Sequence, residues 1–272
     1  MSGTSRRLDV ELVRRGLARS RGQARELVDS GLVLLDGRVA SKPAIPVAEE
    51  QDLSLTGGAE TWVSRAAYKL LAALEAFGPR GLAVQGRRCL DVGASTGGFT
   101  QVLLRHGAEH VIALDVGHGQ LVPEVAGDPR VTERSGVNVR GVQLKDLGGP
   151  ADLVVADLSF ISLQVVLGVL ATLTTPDGDL VVLVKPQFEV GRDRLGHGGV
   201  VRSASERARA IVEVATVAEA SGLHPLDVRT SPLRGTTGNV EYLLWLTPRA
   251  GEGLAPDRVA ALAAELSAEG TA

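Results

Sequence analysis

The chain has 272 residues, of which 44% are hydrophobic and 22% charged, and a formal net charge of −3. That length suits one large domain plus a small one, with ample apolar material for a core. The slightly acidic balance excludes a globally basic nucleic-acid binder, so any basic surface must be local. A single cysteine excludes a disulfide framework and fits a reducing cytoplasm. The opening MSGTSRRLDVEL has no apolar signal core. The longest apolar stretch, residues 161–173, is too short for a bilayer and carries Gln164 and Gly168. Lysine is scarce: Lys42, Lys69, Lys145 and Lys185 stand against 25 arginines. A lysine kept in such a chain marks a place where arginine, which cannot lose its proton, would not serve; survival by chance is the alternative.

Residues 8–35 read as two short amphipathic helices. In LDVELVRRGLA, Leu8, Leu12, Val13 and Leu17 share a face and Gly16 marks the stop. Ser20 then caps RGQARELVDSGLV, where Ala24, Leu27 and Val28 face inward and Gly31 ends the helix. VLLDGRVASKP is a strand, an Asp36-Gly37 turn and a second strand. Residues 1–48 hold nine Lys/Arg against five acids, ahead of the acidic run Glu49-Glu50-Gln51-Asp52. Arg14, Arg15, Arg19, Arg21 and Arg25 gather around the inter-helix turn, a spacing suited to a phosphate backbone; a solvated arginine face on a helical hairpin is the alternative.

This stretch, residues 7–43, resembles the small S-four-type RNA-binding module: a helix, an arginine-bearing turn, a second helix and a hairpin. The resemblance implies that these arginines bind RNA, with Arg6 and Arg65 grouped with them. Gly57-Gly58 breaks the pattern. The expected division is residues 1–58 as the small domain, 59–63 as a linker and 64–272 as the large domain. Trp62 at the joint is read as pinning the two together, or as simply covering the core.

Ser64 is expected to cap SRAAYKLLAALEAFG, with Ala67, Leu70, Leu71 and Leu74 inward and Lys69 beside them. CLDVGASTGGFT follows: a buried strand (Cys89, Leu90, Val92), a glycine turn and a helix (Phe99, Val102, Leu103, Leu104). Gly93, Gly97 and Gly98 remove side chains where the backbone turns and where a ligand would touch it, and the helix aims free N–H groups into the turn. HVIALDV is a second apolar strand ending in Asp115, placed to hold both hydroxyls of a ribose. The Asp91-x-Gly opening lacks a third phosphate-spaced glycine and so fits S-adenosylmethionine better than a dinucleotide. A NAD-type site or a purely structural turn remain as alternatives at this point.

RVTERS is a short third strand and DLVVAD, residues 152–157, a fourth; LSFISLQVVLGVLATL reads as a helix, and DLVVLVKPQFE as a strand ending in Lys185-Pro186. Strands alternating with helices give a parallel sheet wound on both faces, whose ligand crevice lies beyond the strands' carboxyl ends. Gly93, Asp115, Asp157 and Lys185 all fall on that edge. The glycine-rich segment 190–201 reads as a mobile loop over the site or as an ordinary connection. Residues 203–220 are a helix, LHPLDVRTSPL is a strand, and EYLLWLTP, opened by Glu241, is expected to pair antiparallel with it. APDRVAALAAELSA closes the chain as a small amphipathic helix.

Lys69, Asp157, Lys185 and Glu241 each have a bland reading: a snorkelling lysine, a turn cap, a strand-end charge, an arginine partner. Taken together, two lysines in a partly desolvated cleft are expected to lower one another's pKa, with carboxylates orienting the protonated one. A neutral amine could then take the proton of an alcohol, and in-line placement would supply most of the acceleration of methyl transfer.

The order Lys, Asp, Lys, Glu around DVGASTGGFT resembles the catalytic tetrad of FtsJ/RrmJ-like ribose 2′-O-methyltransferases. SRAAYKL, DVGASTGGFT, DLSFISL, LVKPQFEVG and GNVEYLLWL stand where the TlyA family has its motifs, over residues 6–247. The resemblance implies a Rossmann-like α/β methyltransferase with a mostly parallel seven-stranded sheet, its last strand antiparallel, plus a small N-terminal α+β RNA-binding domain. It implies methyl transfer from S-adenosyl-L-methionine to cytidine ribose in ribosomal RNA, on ribosomal subunits, without metal or membrane. Carried over residue by residue, Lys69, Asp157, Lys185 and Glu241 are catalytic, with Lys185 the base. Asp91, Gly93, Ala94, Ser95, Gly97, Gly98, Phe99, Asp115 and Val116 hold the cofactor. Ala66 departs from a glycine common in the family, and Glu133 to Asn138 is longer than its pattern, which leaves the adenine contacts expected there open. Some members carry the label haemolysin, against which the lack of a spanning segment argues. A non-catalytic ribosome-assembly factor and a small-molecule methyltransferase are the alternatives.

Overall fold

Leu8 and Leu12 lie one turn apart on helix α1 (Leu8–Arg14) and are fully buried, together with Asp9 and Glu11 beside them. Helix α2 (Arg21–Asp29) buries Ala24, Leu27 and Val28 and begins where the Gln23 N–H donates to the Ser20 hydroxyl. The computed structural model describes residues 5–56, 62–191 and 194–269, in two compact units, Met1–Arg65 and Ala66–Ala272. Gly57, Gly58 and most of the expected linker lie outside the described residues, as do Arg192 and Asp193 of the glycine-rich loop.

In the first unit, β1 (Arg6–Arg7) precedes α1. After α2 come β2 (Val33–Leu35) and β3 (Arg38–Val39), joined by Asp36 and Gly37 at positive φ of 49° and 74°. This is the hairpin that Asp-Gly encodes. Two pairings have no signal in local sequence: β4 (Pro46–Val47) runs antiparallel to β1, and β5 (Leu53–Leu55) antiparallel to β2. Trp62 is buried, and its carbonyl accepts from the Gln23 side chain.

The second unit opens with α3 (Ala67–Phe77). Ala66, not Ser64, occupies its N-cap, and the buried face is Ala67, Lys69, Leu70, Ala73 and Phe77. Leu71 and Leu74, expected inside, are half-buried, because the face that packs is the one carrying Lys69. Then follow β6 (Arg88–Val92), α4 (Gly98–Arg105), β7 (His110–Asp115), α5 (Pro123–Ala126), β8 (Val131–Ser135), α6 (Leu144–Leu147) and β9 (Ala151–Ala156). The helix expected from residue 158 is shorter: a loop and a 3-10 turn precede α7 (Leu167–Leu173). The chain ends with β10 (Thr174–Val184), α8 (Pro186–Glu189), α9 (Ala204–Ala220), β11 (His224–Thr230), β12 (Tyr242–Thr247) and α10 (Pro256–Glu269). Segment 190–201 is anchored at both ends: Val190 and Val201 pack with Ala210, and the Val201 N–H donates to Asn239.

Seven of these strands form one sheet in the order β11-β12-β10-β9-β6-β7-β8. β12 runs antiparallel to both its neighbours; the other pairings are parallel. A row of apolar residues crosses the sheet in register, Ile112, Leu90, Val154, Leu180 and Leu246, each at most 2% exposed. Burial of such unbroken apolar strands is what holds a helix-covered parallel sheet together.

Candidate active site

Parallel strands all end on one edge of a sheet, and whatever follows them converges there. Val92, Ala156 and Val184 end β6, β9 and β10, so Gly93, Asp157 and Lys185 come next along that edge. β12 reaches it from the other direction. Its register pairs Tyr242 with Val184, so Glu241, just before the strand, lies opposite Lys185, just after its own. The antiparallel strand thus contributes its start where every neighbour contributes its end. Lys69 is supplied by the first turn of α3.

These four side chains meet. Lys69 Nζ lies 2.7 Å from Glu241 Oε2 and 3.1 Å from Asp157 Oδ2. Lys185 Nζ lies 2.6 Å from Asp157 Oδ1 and donates to the Ser159 hydroxyl at 3.0 Å. Asp157 therefore bridges two ammonium groups, one on each oxygen. All four are nearly out of solvent, with Glu241 2% exposed and Lys185 6%.

The electrostatics correct one expectation. Lys69 is not lowered by its fellow lysine, because carboxylates flank it. Burial pulls the Lys69 ammonium down, yet Asp157 and Glu241 outweigh it and hold this lysine above its ordinary range. Burial likewise pushes Asp157 up, and Lys69 and Lys185 together hold it below the usual carboxylate range. Lys69 is a fixed cation with two anions, whereas Lys185 has one anion that it shares.

The glycine turn abuts this cluster. Gly93 has a φ of 85°, and a Cβ there would lie 2.8 Å from the Asp157 carbonyl oxygen. Only glycine lets the turn after β6 lie against the end of β9. Beyond it, Asp115 accepts the Ser95 N–H on one oxygen at 2.8 Å and the Gly117 N–H on the other at 2.7 Å. Ala94, Ser95 and Asp115 line an open cleft together with Gln120, Glu133 and Ser135. Gly97, at φ 97°, is the N-cap of α4, and Gly98 begins the helix. Phe99 is buried and Val116 exposed. Asp91 is fully buried: the Thr100 hydroxyl donates to one oxygen at 2.6 Å, and the other has no hydrogen-bond partner. Burial pushes this carboxyl up to about 7.

Ser159 and Gln120 are additions to the residues read from sequence, and Glu133 and Ser135 fall in the segment 133–138 where the sequence leaves the adenine contacts open. Short polar side chains in loops give no periodic signal; only the sheet order brings Glu133 and Ser135 of β8 to the cleft. Phe160, also new, is 92% exposed at a positive φ of 63°, with its ring 5.4 Å from that of Phe188. Glu189 ties this loop down, accepting from the Ser162 hydroxyl and the Leu163 N–H.

In the first unit, Arg15 donates to Glu11 and to the carbonyls of Ala48, Glu49 and Gln51. Arg14 also pairs with Glu11, at 2.6 Å, and these two guanidiniums, Arg14 first, hold that buried carboxylate down at about 2 despite its burial. Arg21 and Arg25 meet at Asp9, and Arg65 donates to the Ser30 hydroxyl. The Arg19 N–H donates to the Gln23 side chain, and Arg6 pairs through its backbone with Val47.

A sheet in this strand order, with a glycine turn facing a strand-end carboxylate, defines the class of the larger unit as an α/β methyltransferase. Comparison with known proteins narrows it. The chain matches the FtsJ-like methyltransferase family over residues 62–247 and the S4 domain over residues 6–53. It is 53% identical, over 91% of this chain and 92% of the relative, to the 16S/23S rRNA (cytidine-2'-O)-methyltransferase TlyA of Mycobacterium tuberculosis. It is 31% identical, over 83% and 93%, to the 23S rRNA (cytidine-2'-O)-methyltransferase TlyA of Campylobacter jejuni. A solved structure described as a hemolysin, from Streptococcus thermophilus, matches with a TM-score of 0.74 and 35% identity over 98% of each chain. The chain belongs to the TlyA family of FtsJ-like methyltransferases, with an S4 domain ahead of the methyltransferase fold. Among the described residues no helix is long and apolar enough to cross a membrane.

Proposed function

We propose that the protein methylates the ribose 2′-hydroxyl of a cytidine in ribosomal RNA, using S-adenosylmethionine, within the cytoplasm. The observation that carries this reading is Asp157 holding two lysines on its two oxygens, against the backbone of the glycine turn. A 2′-hydroxyl is a poor nucleophile until its proton is removed, and a positioned amine is a suitable acceptor. The printed activities of the relatives from M. tuberculosis and C. jejuni point the same way.

The residues fit the cofactor. The cleft beside Asp115 offers carboxylate and hydroxyl groups suited to a nucleoside. The unpartnered buried oxygen of Asp91 is an acceptor suited to a cationic ligand group. When bound, S-adenosylmethionine supplies an electrophilic methyl group on a sulfonium sulfur. Asp91, the backbone around Gly93 to Ser95, and Asp115 would hold it. Lys69, fixed as an ammonium by Glu241 and Asp157, orients Asp157. Asp157 and Ser159 lie against Lys185 Nζ, and the ribose hydroxyl would approach it as a third neighbour. Lys185 would take that proton as the general base while the methyl carbon passes from sulfur to the ribose oxygen, its bond to sulfur breaking as the bond to oxygen forms. Glu241 keeps Lys69 charged and so keeps the base role on Lys185.

The test is to incubate the protein with tritium-labelled S-adenosylmethionine and, separately, small and large ribosomal subunits from a strain lacking the modification. Nuclease digestion should return the label in 2′-O-methylcytidine from one or both subunits. Cofactor binding without transfer to either RNA would point instead to a ribosome-assembly factor that retains the fold.

A further inference from the structure

Asp9 is buried completely in the S4 domain, yet it is surrounded by cations rather than by apolar groups alone. Arg7 clamps it in a fork, Nε to Oδ1 at 3.0 Å and Nη2 to Oδ2 at 3.2 Å. Arg21 reaches Oδ2 at 3.0 Å and Arg25 at 3.3 Å. The three guanidiniums come from different places, Arg7 ahead of α1 and Arg21 and Arg25 one turn apart on α2, and each stays about half exposed. Three like charges would not gather on one carboxylate-sized spot without an anion at its centre, and with one they still sum to two positive charges. Arg7, first, together with Arg21 and Arg25, holds Asp9 well below the usual carboxylate range, burial notwithstanding.

We propose that Asp9 is a positioning residue for RNA binding: a buried anion that gathers Arg7, Arg21 and Arg25 into one preformed phosphate-binding claw. This rests on the reading of the protein as an RNA-modifying enzyme. Each guanidinium has five N–H donors, and the contacts to Asp9 use at most two of them, so donors remain for a phosphate on side chains that are about half exposed. Orientation before binding removes an ordering cost that loose arginines would meet on contact with phosphate. The inference adds Arg7 to the RNA face and inverts a simple charge expectation. Removing an acid from a basic surface ordinarily tightens RNA binding; removing this one should loosen it.

The experiment measures binding of the full-length protein to a labelled 20-base-pair RNA hairpin across a salt series. Asp9→Asn should bind at least fivefold more weakly and show a shallower dependence of log K on log salt, since fewer phosphates are engaged. In an Arg21→Gln background the Asp9→Asn effect should shrink, because the residue acts through the arginines. Unchanged or tighter binding by a folded Asp9→Asn protein overturns the proposal. Should that variant fail to fold by circular dichroism, Arg7→Lys replaces it: the charge is kept and the fork lost. Severalfold weaker binding supports the claw, and unchanged binding overturns it. If Arg21→Gln binds like the parent, the RNA reading of this face fails and the proposal with it. If Arg21→Gln weakens binding but Asp9→Asn does not, only the role of Asp9 fails.

Discussion

A cation bound beside Asp91 would favour its ionised form. Its carboxyl is pushed up to about 7 by complete burial, with one oxygen unpartnered. A carboxyl raised in the folded state binds more protons there than in the unfolded chain between about pH 4 and 7, so apo stability falls as pH rises through that window. A ligand ammonium group beside Asp91 favours the ionised form, so binding should release a proton wherever the apo carboxyl is protonated. Calorimetry of S-adenosylhomocysteine binding in buffers of different ionisation enthalpy should find about one proton released at pH 6 and nearly none at pH 8. Release that is absent at both pH values would separate Asp91 from the cofactor. Lys69, Asp157, Lys185 and Glu241 could be singled out in the sequence because lysine is rare there, Asp157 follows a strand, Glu241 opens one, and their order resembles a known tetrad; the structure brings the four together. Their charge balance was not legible there. Sequence cannot say that Asp157 stands between the lysines, and so the expected mutual lowering gave way to a raised Lys69.

Among the elements, the turn after β6 is a tight joint against the end of β9. Gly93→Ala must accept a positive φ and a Cβ 2.8 Å from the Asp157 carbonyl oxygen, a backbone atom that cannot move without shifting the tetrad. The expected cost is about 1–3 kcal/mol of stability, with at least tenfold weaker binding of S-adenosylhomocysteine; thermal unfolding and titration check both. A variant with parental melting and affinity would show that the turn tolerates a side chain. Helices with strong signals, such as α2 with its Ser20 cap and α9 with Ser203, were legible with near-correct bounds. The start of α3 was not, because the helix begins at Ala67 with Ala66 at its N-cap, two residues past the Ser64 that the sequence offers. The short strands β1, β4 and β5 are paired across long stretches of chain, and two- and three-residue strands carry no period of their own.

For the whole molecule, the proposed function puts recognition in the first unit and chemistry in the second, so the two should be separable in measurement. Removing residues 1–65 should lower methyl transfer to ribosomal subunits at least tenfold while the affinity for S-adenosylhomocysteine stays within about twofold, because every tetrad and cleft residue lies in Ala66–Ala272. Undiminished transfer by the shortened protein would mean that the substrate is held by the catalytic unit alone. The account as a whole depends on the amine of Lys185. The direct measurement is single-turnover methyl transfer to unmethylated ribosomal subunits by the parent and by Lys185→Arg, which keeps the positive charge but cannot lose its proton. At saturating cofactor, with binding of S-adenosylhomocysteine retained, the rate should fall at least 100-fold; a rate within a few-fold of the parent's would contradict it.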